Sequence, residues 1–143
     1  MQVEVHQLAQ ALQPVLEPLL AAGLNVVVDH FGRPDPLLGI TDPGFRYLLA
    51  LGASQNVWVK LSAAYRNGAE GRGEQIALAA MPLLLAQFGP QRLLWGSDWP
   101  HTLYEASAHY GQQTLMLEQY LPNQAARRIV LRDSPAALFG FSA

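Results

Sequence analysis

The sequence predicts an α/β fold built around a parallel sheet. Four short β-rich runs, over residues 2–6, 24–28, 56–61 and 92–95, are each followed by a longer stretch with helical periodicity. Strict alternation of strand and helix favours parallel pairing through right-handed crossovers. Val26-Val27-Val28 and Val57-Trp58-Val59 are apolar at consecutive positions, as in strands covered on two faces.

Each element has a local reason. Behind the first run, Leu8, Leu12, Val15, Leu16, Leu19 and Leu20 recur at threes and fours up to Gly23, which suits a helix ending there. Pro14 and Pro18 predict a break or a late start. The second run opens into a Pro/Gly-rich loop over 31–42 and then a helix over 43–51, with Asp42 placed to cap it, Pro43 at its first position and Gly52 at its close. The third leads through 62–73 into a helix over 74–88, whose Ile76, Leu78, Ala79, Leu83, Leu84 and Phe88 form a broad apolar face that Gly89-Pro90 ends. The fourth leads through 96–103 into a helix around 105–120, then 123–132 and a final turn at 135–139.

Composition narrows the function. The chain has 143 residues, nine Lys plus Arg against eleven Asp plus Glu, and a net charge of −2. That suits one domain over 1–143, with no linker dividing it. Half the residues are apolar and only 14% are charged, against roughly 25% in ordinary soluble domains. A near-neutral balance offers no footprint for nucleic acid or an anionic membrane, although one or two arginines suffice for a small acidic substrate. Without cysteine, disulfides, thiolate nucleophiles and Cys-based metal sites are excluded, so a metal would need His and carboxylates. The start lacks a signal-peptide profile, and the longest uncharged stretch, between Glu74 and Arg92, is broken by Pro82, Gly89 and Pro90. It falls short of the roughly 20 residues of a membrane span. The expectation is a soluble, cytoplasmic chain. Four parallel strands form a small open sheet or supply half of a closed eight-stranded barrel, which typically takes about 250 residues.

Ligands in parallel α/β folds collect beyond the carboxyl ends of the strands. Four polar clusters lie there: His6; Asp29 to Pro34; Lys60 to Arg66; and Gly96 to His101. Strand alternation puts Val26, Val28 and His30 on one face and Val27 and Asp29 on the other. Leu94, Gly96 and Asp98 share a face, with Gly96 leaving room beneath the Asp98 carboxylate. His30 and Asp98 are expected on a common face, as an acid/base pair for attack of water on a carbonyl or as joint ligands of a metal. Arg33 and Arg66, in loops of small residues, can grip a carboxylate with two parallel hydrogen bonds. Lys60, the sole lysine, is in phase with Trp58 and Ser62 and is expected to be paired or catalytic. The plainer alternatives are an Asp29-His30 turn, an Asp98 helix cap shared with Ser97, surface arginines, and Trp58, Trp95 and Trp99 as core or rim packing. His6 is a weaker candidate, His101 is intermediate, and His109 reads as a helix-surface residue.

The segments 26–34, 59–66 and 94–101, which carry Asp29-His30-Phe31-Gly32-Arg33-Pro34, Lys60-Leu61-Ser62-Ala63-Ala64-Tyr65-Arg66 and Gly96-Ser97-Asp98-Trp99-Pro100-His101, resemble the second half of the amidohydrolase-related barrels. The branch they most resemble contains the 2-pyrone-4,6-dicarboxylate lactonases. The resemblance implies the C-terminal half of a (β/α)8 TIM barrel and hydrolysis of a lactone of a carboxylated substrate once the barrel is complete. It implies Asp98 as the base that activates water and His30 as the group polarising the carbonyl. Arg33 and Arg66 would bind substrate carboxylates, with Tyr65 and His6 beside them. The lactonase branch works without a metal, whereas related branches, including zinc-dependent decarboxylases, use a divalent metal held by residues equivalent to His30 and Asp98. The family's His-x-His pair at the first strand is absent from this sequence, so one copy is expected to be poorly active. A homodimer, or a missing N-terminal half-barrel, is the expected partner. A zinc-dependent decarboxylase and a catalytically inactive, dimeric or ligand-binding remnant of the barrel are the competing readings.

Overall fold

A computed structural model describes residues 1–142. Four strands, β1 (Gln2–Val5), β2 (Asn25–Val28), β3 (Val57–Leu61) and β4 (Leu93–Trp95), form one parallel sheet in the order β1-β2-β3-β4. Helices α1 (Leu12–Ala21), α2 (Pro43–Ala50) and α3 (Arg72–Phe88) make the crossovers, and α4 (Tyr110–Tyr120), α5 (Gln124–Arg128) and α6 (Ser134–Phe139) follow β4. β1 and β4 are the two edges, so the sheet is open.

The register divides the sheet into two chemically different faces. Val26 pairs with Val57, and Val28 with Val59, which pairs with Leu93. This row, with Val5 and Leu61, packs on Leu12, Leu16, Phe45, Leu48, Ala77, Ala80, Leu84 and Phe88 of the crossover helices. The opposite row aligns Glu4 with Val27, Val27 with Trp58, and Lys60 with Leu94. Extending it past the strand ends brings in His6, Asp29, Ser62 and Gly96. The catalytic candidates rise from this second face.

Local signals mostly set the helices as expected. Asp42 accepts from the Gly44 amide at 2.7 Å and Pro43 opens α2. α1 starts late, at Leu12, which places Pro14 in its first turn, and it carries Pro18 without breaking because the helix is pinned on Leu12 and Leu16, both fully buried. α3 starts at Arg72 and contains Pro82. The helix expected around 105–120 begins only at Tyr110. Residues ahead of it make turns, with left-handed backbone at His101 and Leu103. Tyr104 there lies under the Arg66 guanidinium, 5.0 Å from its carbon, and this contact with the β3 loop draws the segment off the helical path. His109 consequently precedes α4 instead of riding on it. The stretch expected as one helix over 123–132 is α5, capped by Asn123, then a wide π turn at Ile129–Asp133 that runs into α6.

Candidate active site

The β2 end sets the first catalytic candidate. Asp29 continues the strand and its amide donates to the Val5 carbonyl. His30 and Phe31 then adopt consecutive left-handed conformations (φ 52° and 59°), uncommon for residues other than glycine. This turn overrides strand alternation. Val26 and Val28 face the helices, whereas His30 swings to the opposite side, and Phe31 takes the buried place beneath. The common face expected for His30 and Asp98 exists, but a kinked backbone creates it and strand phase does not. Asn67 holds the kink by donating from Nδ2 to the His30 carbonyl at 2.9 Å.

Asp98 reaches the same cleft by continuing the Leu94 and Gly96 row, itself in a left-handed conformation (φ 61°). Gly96 makes room for neighbours other than the Asp98 carboxylate: a Cβ there would lie 3.3 Å from Lys60 Cδ and 3.6 Å from Ser62 Cβ. No helix starts at Asp98, which disposes of the capping alternative. The Tyr65 hydroxyl donates to Asp98 Oδ2 at 2.5 Å, and Arg66 Nε donates to the same oxygen at 2.8 Å. Oδ1 is left 3.7 Å from His30 Nε2, too far for a direct hydrogen bond. His30 Nδ1 lies 2.8 Å from Ser62 Oγ.

These surroundings fix the charge states. Burial pushes the His30 imidazole down to about 4, against the opposing pull of Asp29 and Asp98. Burial alone would raise the Asp98 carboxyl, but the hydrogen bonds from Tyr65 and Arg66 outweigh it and hold the group below its usual value. Burial, followed by the adjoining Asp98 charge, raises the Tyr65 phenol, which stays a proton donor. At neutral pH a carboxylate therefore faces a neutral imidazole across a cleft of about 390 Å³ bordered by His6, Ser62, Gly96 and Trp99.

The two arginines are brought to this rim, but both are partly engaged. Arg33 Nη1 donates to His6 Nε2 at 2.7 Å, and the His6 ring stands edge-on to His30 with centroids 4.7 Å apart. Arg66 spends Nε on Asp98 and Nη2 on the Thr102 carbonyl, leaving Nη1. Burial, then repulsion from Arg66, lowers the Arg33 guanidinium below its ordinary value. Lys60 is paired: its ammonium lies 2.9 Å from Asp29 Oδ1 and 3.2 Å from Glu4 Oε2. Trp99 is an exposed rim residue. Ser62 and Asn67 are the supports that sequence reasoning passed over. Their signals were weak, although the phase of Ser62 with Lys60 already placed it on the cleft face.

His6, Asp29 and His30 place one candidate ligand atom each within 4.8 Å of one another. As they stand in this chain, these three groups are not all free to hold a metal ion. His6 Nε2 already accepts from a guanidinium and Asp29 is paired with an ammonium. His30 Nε2 and Asp98 Oδ1 remain facing each other at 3.7 Å, two groups where a catalytic zinc site takes three protein ligands.

Comparison with known proteins agrees with this architecture. A family model described as Amidohydrolase matches residues 2–141. The chain belongs to the amidohydrolase family. It is 32% identical over 141 residues to 4-sulfomuconolactone hydrolase of Hydrogenophaga intermedia, covering 96% of this chain and 46% of that one. It superimposes with a TM-score of 0.92 and 38% identity on a Pseudomonas putida protein assigned as a 2-pyrone-4,6-dicarboxylic acid hydrolase, over 99% of this chain and 52% of that one. An Acinetobacter baumannii protein with the same assignment, crystallised with citric acid bound, gives 0.91 and 36%, over 98% and 52%. This amidohydrolase chain spans about half the length of the relatives it matches, and its four parallel strands and helices correspond to part of their TIM barrel.

Proposed function

We propose that this chain supplies the water-activating and anion-binding side of a lactone hydrolase acting on a small carboxylated cyclic ester, in a barrel closed by a complementary segment. The reading rests on one arrangement: an ionised Asp98, tethered through Oδ2, with Oδ1 turned toward a neutral His30 at 3.7 Å. A lactone carbonyl in the cleft would accept a hydrogen bond from His30 Nε2–H. Asp98 Oδ1 would take a proton from the attacking water as its oxygen bonds to the carbonyl carbon. The tetrahedral adduct then collapses by breaking the ring C–O bond, and the proton on Asp98 passes to the departing oxygen. Such general-base assistance contributes about 10²- to 10⁴-fold.

Arg33 and the uncommitted Nη1 of Arg66 give the rim its affinity for carboxylate. The hydrolysed compounds in the relatives' names are lactones bearing acidic groups, and the Acinetobacter relative holds citric acid. The open β1 and β4 edges motivate the complementary segment, since unpaired strand edges are sites of strand addition.

The test co-produces this chain with the part of the Pseudomonas relative that it does not match, and follows loss of 2-pyrone-4,6-dicarboxylate and of 4-sulfomuconolactone. Hydrolysis is expected, and Asp98→Asn is expected to lower kcat by about 100-fold or more. An unchanged rate in that variant removes Asp98 from the reaction.

A further inference from the structure

His101 lies three residues beyond Asp98, is 5% exposed and adopts a left-handed backbone (φ 62°). Its amide donates to the Asp98 carbonyl at 2.7 Å and its own carbonyl accepts from the Tyr104 amide at 2.7 Å, so the backbone that carries the ring is held on both sides. Nδ1 sits 3.1 Å from the Tyr65 hydroxyl oxygen. Nε2 is buried and has no hydrogen-bond partner.

Proton counting fixes the direction of this contact. A tyrosine hydroxyl carries one proton, and here it points to Asp98 Oδ2. His101 can then bond to Tyr65 only as a donor, from Nδ1–H to the phenol oxygen. A proton on Nε2 would meet no acceptor in a buried place, a costly arrangement, whereas a bare Nε2 lone pair costs less. Both observations select the Nδ1–H form of the ring, the reverse of the form an unconstrained imidazole prefers.

We propose that His101 is a positioning residue for Asp98: by donating from Nδ1 to the Tyr65 oxygen, it commits the only Tyr65 proton to Asp98 Oδ2 and leaves Oδ1 to the cleft. The chain His101 Nδ1–H to Tyr65 O–H to Asp98 Oδ2 is directional, and Arg66 Nε completes the hold on that oxygen. Without the His101 donor, nothing holds the Tyr65 oxygen at the point from which its proton reaches Asp98 Oδ2, and the carboxylate loses its fixed orientation. The catalytic consequence rests on the lactone hydrolase reading; the proton placement does not.

Two measurements separate these. In the full 143-residue chain labelled with ¹⁵N-histidine, long-range ¹H–¹⁵N correlation is expected to show His101 protonated at Nδ1 and bare at Nε2, and Tyr65→Phe, which removes the acceptor, is expected to shift the ring toward Nε2–H. An Nε2–H ring in the unsubstituted chain overturns the proposal, whatever the enzyme assay gives. In the completed barrel, His101→Asn, whose side-chain amide can still donate, is expected to keep kcat within about 3-fold, whereas His101→Leu lowers it about 10-fold, the worth of one directed hydrogen bond, with KM changing less than about 2-fold. Equal losses in the two variants, or none in His101→Leu, overturn the positioning role. Absence of hydrolysis by the unsubstituted barrel would count against the lactonase reading alone and leave the spectroscopic test intact.

Discussion

Ser62 Oγ lies 2.8 Å from His30 Nδ1, on the far side of the imidazole from Asp98. For a neutral His30 to present Nε2–H to a carbonyl, this serine must donate to Nδ1 and so select the ring form. Ser62→Ala is therefore expected to lower kcat about 10-fold in the completed barrel, the value of one buried hydrogen bond, with little change in KM. Steady-state kinetics of the variant check this, and an unaltered kcat would show that Ser62 does not govern the His30 proton.

The burial of neutral His30 makes the fold acid-sensitive. Its folded value is lowered from 6.5 to about 4, so between those limits the unfolded chain binds a proton that the native one refuses. Stability is full above about pH 6.5 and falls as the pH drops, by up to about 1.4 kcal/mol per pH unit, until the native ring also protonates near pH 4. Asp98, held below its usual value, adds a second loss at still lower pH. Urea midpoints at pH 8, 6, 5 and 4 should trace this decline, and His30→Gln should flatten it above pH 4. A flat profile in the unsubstituted chain would contradict the buried neutral imidazole.

Asp42 is nearly fully buried and serves two amides at once. Oδ1 accepts from Gly44 and Oδ2 from Asp35, each at 2.7 Å. Asp42→Ala leaves both donors unserved and should cost about 2 kcal/mol or more, measured by chemical denaturation. Asp42→Asn, which keeps one acceptor oxygen, should cost clearly less. Equal costs would mean that packing, and not capping, is the role of the residue.

Gly44 marks where α2 meets the chain after β1. A Cβ at this position would fall 2.1 Å from the Ala9 carbonyl oxygen and 2.6 Å from the Gln10 amide nitrogen. Backbone cannot retreat as a flexible side chain can, so Gly44→Ala should destabilise by about 3 kcal/mol or prevent folding. Gly111→Ala, where nothing lies within 4 Å, is the matched control and should be neutral or slightly stabilising. Comparable denaturation midpoints for the two variants would refute the close approach.

The positions of strands and crossover helices were legible because their causes are local. Consecutive valines at 26–28 mark a strand covered on both faces, and Asp42-Pro43 marks a helix start. Lys60, alone of its type and embedded in an apolar strand, announced a pairing, and Glu4 and Asp29 supply it. The segment before Tyr110 departs from the expected helix because its conformation follows from a distant contact, Tyr104 beneath Arg66. No periodicity records such a contact.

By itself the sequence determined the parallel α/β order and the phase that carries Asp98 to the cleft, since each follows from spacing along one strand or helix. Only the tertiary structure decided that His30 leaves the helix-packed face, that Arg33 engages His6, and that Tyr65 and Arg66 share one oxygen of Asp98. Left-handed turns after β2 and β4 make those contacts, and such turns in residues other than glycine persist because groups far along the chain, Asn67 for His30 among them, hold the strained backbone in place.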